Sequence, residues 1–219
     1  MSNYKTVFFI LGVLQIILGL SMIVPIMAQF YYNQVDSGFI GSGLVSIIFG
    51  VLFFLSNLDY EKKLTLPQAF LLTALSWLSI AIFGSLPFVF SDLSLSFTNA
   101  FFESMSGITT TGSTILTNLN ETPKAILLWR AMLQWLGGIG IIVMAITLMP
   151  IMNIGGMQLF VISNTHTPEK ILPKSKEISI RLIAIYSSLT LVCAFFYKIF
   201  GMSFFDSIVH SMTTIATGG

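Results

Sequence analysis

The chain has 219 residues, of which 55% are hydrophobic and only 9% charged, against roughly 25% charged in an ordinary soluble domain. That balance excludes a water-soluble fold. A formal net charge of +1 with no block of like charges leaves no footprint for nucleic acid either.

The few charges leave uncharged stretches at 6–35, 37–58, 64–91, 131–168 and 182–197, most of them longer than the ~20 residues a helix needs to cross about 30 Å of hydrocarbon. Lys5 followed by an apolar run has the look of a secretory signal. The run from Val7 to Met27 is too long for one, and no small-x-small site closes it, so it reads as a retained first spanning helix. Five spanning helices are predicted, at 7–30, 39–57, 67–90, 125–151 and 178–200. Pro25 and Pro87 near outer ends, and Pro150 near an inner end, predict boundaries or mild kinks. Between the third and fourth helices, residues 95–114 are rich in Ser, Thr and Gly, too short and too polar to span. On the fourth helix, Gly137, Gly138 and Gly140 let a neighbouring backbone approach closely. The connection 152–177, with Gly155, Gly156, Pro168 and Pro173, is the longest polar segment, and His166 in it reads as a solvated loop residue. Cys193, the single cysteine, has no partner for an intrachain disulfide or a thiol metal site and reads as a small buried hydrophobe.

Positive residues in short loops are held on the cytoplasmic side. With a cytoplasmic N-terminus, Lys5, Lys62, Lys63, Lys170, Lys174, Lys176 and Arg181 lie inside, leaving Lys124, Arg130 and Lys198 outside. Seven of the ten cations then obey the rule. Asp36, Asp92, Glu121 and Asp206 fall on the outer side. Tyr31, Tyr32, Tyr60, Trp129 and Tyr197 stand at helix ends, where interfacial aromatic belts are expected. The expected location is the plasma (inner) membrane, crossed several times.

Compared with itself, the chain repeats at an offset of 107 residues: Glu-Ser-Met-Ser-Gly-Ile-Thr-Thr-Thr-Gly at 103–112 lines up with His-Ser-Met-Thr-Thr-Ile-Ala-Thr-Gly-Gly at 210–219. Ser104 matches Ser211, Met105 matches Met212, Ile108 matches Ile215, Thr110 matches Thr217 and Gly112 matches Gly219. Two crossings separate the copies, so both loops open to the same face. Non-helical backbone at membrane depth is tolerated only where it is buried in protein or lines a water-filled cavity. A Thr/Gly loop there can turn backbone carbonyls toward an axis and replace the hydration shell of a monovalent cation. Glycine supplies the backbone angles that a side chain forbids. Glu103, inside the short half-helix, needs water or a partner, and Arg130 is the candidate for a pair bracing the first loop. His210, in the equivalent place, reads as a polar residue facing the vestibule. Asp206 and Asp92 could enrich cations at the mouth or simply be solvated.

The segments 102–113 (Phe-Glu-Ser-Met-Ser-Gly-Ile-Thr-Thr-Thr-Gly-Ser), 133–141 (Leu-Gln-Trp-Leu-Gly-Gly-Ile-Gly-Ile), 154–159 (Ile-Gly-Gly-Met-Gln-Leu) and 216–219 are similar to those of the Trk/Ktr/HKT superfamily of potassium transporters, and the Trk branch most closely. The resemblance implies an all-α integral membrane fold with helix–pore-loop–helix repeats as in potassium channels, four of them around one pore. Here it would cover one full repeat plus part of a second, preceded by two extra helices. The implied domains are 1–63 for the extra helices, 64–152 for the first repeat, 153–177 for a cytoplasmic linker, and 178–219 for the first helix and pore loop of the second repeat. Because the chain stops at the second filter glycine, a truncated or fragmentary transporter is expected.

By the same resemblance, potassium is coordinated at Thr110, Thr111 and Gly112 and at Thr217, Gly218 and Gly219, flanked by Thr109, Ser113 and Ala216. Serine in place of the first filter glycine accompanies sodium preference in plant relatives, so Gly112 implies potassium. No cofactor is implied beyond the transported ion. The implied partners are the lipid bilayer, a cytosolic nucleotide-binding regulatory subunit docking on residues 61–64 and 153–177, and a second copy in a homodimer of the full-length protein. The leading expectation is thus potassium uptake across the plasma membrane. The alternative is a non-conducting accessory or assembly protein derived from such a transporter. An enzyme is not expected, since paired carboxylates, metal-ligand spacing and a Ser/His/Asp set are all missing.

Overall fold

The computed structural model describes residues 4–34, 36–60, 64–93, 95–152 and 171–219, with backbone alone at 145–152 and 171–176. The described residues form helices only: α1 (Lys5–Ser21), α2 (Ile23–Tyr31), α3 (Gly38–Ser56), α4 (Leu66–Phe90), α5 (Phe97–Ile108), α6 (Lys124–Met152), α7 (Ile171–Ile199) and α8 (Phe204–Ile215). Five stretches are long and apolar enough to cross a membrane: Lys5–Tyr31, Gly38–Ser56, Leu66–Phe90, Lys124–Met144 and Glu177–Ile199. The segment 154–159, His166, and residues 61–63 and 153–170 of the expected docking surface lie outside the described residues.

The first span is bent at Met22, between α1 and α2. Pro25 explains the bend: lacking an N–H, it cannot bond the Ser21 carbonyl, and its ring crowds that turn. Below the bend α1 packs antiparallel on α3 through paired glycines. A Cβ at Gly12 would lie 2.7 Å from the Gly50 carbonyl, and one at Gly19 would lie 2.9 Å from the Gly43 carbonyl. Lipid tails are as apolar as leucine, so helices in a bilayer associate by close packing, which these glycines permit.

Helix α4 begins with a capping box, in which the Gln68 side chain accepts the Thr65 N–H at 2.8 Å. Its C-terminal half packs into the core. Trp129 of α6 is fully buried, stands edge-on to Phe39 and donates its indole N–H to the Gly84 carbonyl at 2.9 Å. This corrects the sequence expectation of an interfacial Trp129. Its position at a helix end is right, but that end is covered by α3 and α4. Tyr31, at 79% exposed, does stand at the surface of its helix end.

The seventh helix starts at Ile171, seven residues earlier than the predicted 178, so the last part of the expected linker is helical. Pro173 is compatible with this, because in a first turn its missing N–H has no intrahelical partner to lose. Trp135 and Tyr186 fasten α7 to α6, through Trp135 Nε1 to Thr190 Oγ1 at 3.0 Å and Tyr186 Oη to the Trp135 carbonyl at 3.3 Å. Cys193, on α7, is half-buried.

Candidate functional site

Each of the two repeated segments is a half-helix followed by a loop, and both are built alike. Ser96 caps α5 by accepting the Asn99 N–H, and Ser203 caps α8 by accepting the Asp206 N–H. Both helices run for 12 residues. At their C-termini the hydrogen bonds recur at the same offset: Thr109 N–H to the Met105 carbonyl and Ala216 N–H to the Met212 carbonyl, then Thr110 to Gly107 and Thr217 to Thr214, then Thr111 to Ser106 and Gly218 to Thr213.

The loops also share their backbone conformation. Thr110 and Gly112 have φ of 57° and 81°, Thr217 and Gly219 have 60° and 89°, and the residue between each pair lies outside that left-handed region. Threonine there is strained, by about 1–2 kcal/mol. Strain of this kind survives only where the surroundings over-determine it, and it concentrates at functional sites. The loops touch each other. The Gly218 carbonyl fills the space where a side chain at Gly112 would stand, so Gly112 is required by both its φ and its neighbour.

Glu103 and Arg130 are brought together in an ion pair, Arg130 Nε against Glu103 Oε1. The carboxylate is fully buried in the middle of α5, and its second oxygen accepts the Ile115 N–H at 3.0 Å. The guanidinium reaches further, donating from Nη2 to the Gly112 carbonyl at 2.7 Å. One pair therefore ties half-helix, loop and α6. Ser106 adds a second tie, donating its hydroxyl to the Ser113 carbonyl at 2.6 Å. On the exposed side of the loop, Thr109 donates its hydroxyl proton to the Met105 carbonyl. The 2.8 Å contact between the Thr109 and Thr111 hydroxyls is accordingly donated by Thr111.

The second loop rests on different groups. Gly138 of α6 lies against Ala216 and the Tyr186 hydroxyl, and the Gln134 side chain lies against Gly218. Tyr197 bonds the Thr214 hydroxyl at 2.9 Å. His210, in the place of Glu103, is exposed. Asp206 is occupied locally, its Oδ2 accepting the Ser203 hydroxyl at 2.7 Å at the start of α8, where the helix dipole favours a carboxylate. Asp36 and Asp92 line a polar cavity of about 290 Å³ with Gln29 and Gln34, beside the start of α6.

Three of these contributions escaped the sequence reading. The double role of Arg130 and the Ser106 to Ser113 bond depend on the loop folding back, which no spacing encodes. Gln134 did carry a signal, as a lone amide in the middle of an apolar span.

Five spans, with a half-helix and re-entrant loop set between α4 and α6 and again after α7, define a membrane transport protein of the helix–pore-loop–helix class. Residues 35–219 match the TrkH family, described as a cation transport protein. The chain belongs to that family, which is one of transporters rather than enzymes. Among its relatives, it is 39% identical over 96% of its length to the Trk system potassium uptake protein TrkI of Halomonas elongata. It is 38% identical over 99% of its length to the Trk system potassium uptake protein TrkH of Vibrio parahaemolyticus. The crystal structure of the potassium transporter TrkH from Vibrio parahaemolyticus superposes on the whole chain with a TM-score of 0.88 at 36% identity. The chain spans under half the length of these relatives, 43% and 46% of the two sequences and 44% of the solved chain.

Proposed function

We propose that this chain supplies two adjacent quarters of the selectivity filter of a potassium uptake transporter in the plasma membrane. The observation that carries the reading is the repeated backbone at 110–112 and 217–219, left-handed at the first and third residue and not at the second, in loops that touch. Such a backbone can present successive carbonyls to a dehydrated cation. The filter residues are Thr110, Thr111 and Gly112 in the first loop and Thr217, Gly218 and Gly219 in the second, with Thr109, Ser113 and Ala216 flanking. Within the first loop the ion-facing oxygens are those of Thr110 and Thr111. The Gly112 carbonyl accepts a hydrogen bond from the Arg130 guanidinium, and Gly112 contributes its turn.

The ion pair of Glu103 and Arg130 braces the first loop. Residues 1–63 form the two extra helices, 64–152 the first repeat, and 178–219 the opening of the second. The N-terminus is cytoplasmic, supported by the seven cations that this orientation puts inside. The cytosolic nucleotide-binding regulatory subunit and the homodimer follow from the family likeness.

The test is growth on low potassium of a strain lacking potassium uptake, complemented with the complete reading frame that contains this chain. Rescue by the wild type and its loss, or a gain of sodium uptake, on Gly112→Ser is the expected result. Failure of the wild type to rescue while present in the membrane would favour the non-conducting accessory role.

A further inference from the structure

We infer that Gln134 is the positioning residue of the second filter quarter: its amide, seated behind Gly218, fixes how far that loop stands from the first and so tunes the discrimination of potassium from sodium. The inference deepens the filter reading and rests on it.

Gln134 is fully buried in α6, and neither its Nε2 nor its Oε1 has a hydrogen-bond partner among the described residues. A primary amide carries two donors and an acceptor, and inside a spanning helix such a group marks a functional position. What it touches is the loop. A Cβ at Gly218 would lie 2.9 Å from Gln134 Cδ and 3.0 Å from both Nε2 and Oε1. The Gly218 carbonyl in turn lies against Gly112. Contact therefore runs from α6 through Gln134 and Gly218 to Gly112, whose own carbonyl is held by Arg130. Arg130 stands one helical turn before Gln134, on the same face.

One helix thus supports both loops from behind, with a guanidinium for the first and a neutral amide for the second. The difference follows from the neighbours. The guanidinium at the first loop is neutralised by buried Glu103, whereas the second repeat carries His210 at that position, so a cation in place of Gln134 would have no carboxylate to meet it. Selectivity at a carbonyl site depends on how many oxygens surround the ion and how freely they move. A support that keeps Gly218 from receding therefore acts on ion choice more than on flux.

The experiment compares rubidium, as the potassium tracer, and sodium uptake by the complete transporter at matched membrane levels. Gln134→Met keeps the length and loses the planar amide that stands against Gly218, and is expected to lower the rubidium-to-sodium ratio by about tenfold, or ~1.4 kcal/mol of ion preference. Gly218 lacks a left-handed φ, and the three atoms nearest a Cβ there all belong to Gln134, which is thus the first obstacle that Gly218→Ala meets. Uptake should fail in Gly218→Ala and return when Gln134→Ala is added. Should Gln134→Met not accumulate, this pair of variants decides alone. A wild-type ratio in Gln134→Met, or no return of uptake in the double variant, overturns the inference. A wild type that transports neither ion overturns the filter reading itself, before any substitution enters.

Discussion

Thr110 and Thr217 hold the same left-handed backbone, at φ of 57° and 60°, in two loops that lie side by side. A β-branched residue there costs about 1–2 kcal/mol. Glycine removes that cost and also lets the loop leave the conformation. Thr110→Gly and Thr217→Gly should therefore keep or raise the melting temperature of the purified transporter while lowering its preference for rubidium over sodium. A marked drop in melting temperature with ion preference intact would sink the strain argument.

For Glu103 and Arg130, removing one partner leaves a buried charge uncompensated, at about 3–5 kcal/mol. Glu103→Gln and Arg130→Met should each reduce the amount of folded transporter in membranes, read by fluorescence-detected size exclusion. The swapped double variant, Glu103→Arg with Arg130→Glu, should recover folded protein and not selectivity. A carboxylate at 130 cannot donate to the Gly112 carbonyl, which Arg130 reaches at 2.7 Å. Equal yields from the single and swapped variants would count against the brace.

Much of this arrangement was legible in the sequence because its signals are local. Apolar runs of fixed length mark spans whatever their neighbours, and the 107-residue offset pairs Thr110 with Thr217 and Gly112 with Gly219. What was not legible depends on which surface covers which. Trp129 sits at a helix end, as a belt residue does, and only the packing of Phe39 and Gly84 around it reveals a core position. Nothing in the motif announces that the Gly112 carbonyl accepts from Arg130, because only the folded loop brings the two together. The early start of α7 was hidden by Pro173, which reads as a helix breaker in sequence and is tolerated in a first turn.

Gly137 and Gly140, three residues apart on α6, should respond oppositely to alanine. A Cβ at 137 runs into the Ile108 carbonyl at the end of the half-helix, and one at 140 meets no described atom within 4 Å. Gly137→Ala should cost about 1–3 kcal/mol as overpacking. Gly140→Ala should gain up to about 1 kcal/mol of helix propensity. Thermal unfolding of the two purified variants gives the comparison.

The glycine contacts between α1 and α3 make a separate prediction. Gly50→Leu pushes a side chain into the Gly12 carbonyl, 2.8 Å from a Cβ at that position, and should separate the two helices. A cysteine pair placed across this interface should cross-link in the parent and not in the variant. Undiminished cross-linking would mean that the glycines do not hold the helices together.

The place where Gly138 and Gln134 receive the second loop has a consequence for biogenesis. That seat is made by α6, a helix that leaves the ribosome well before α8 is translated, and chains assemble from the N-terminus as they emerge. The first repeat is therefore the mould on which the second is cast. A fault in α6 would reach the later loop as a misplaced template, even with every residue of that loop unchanged.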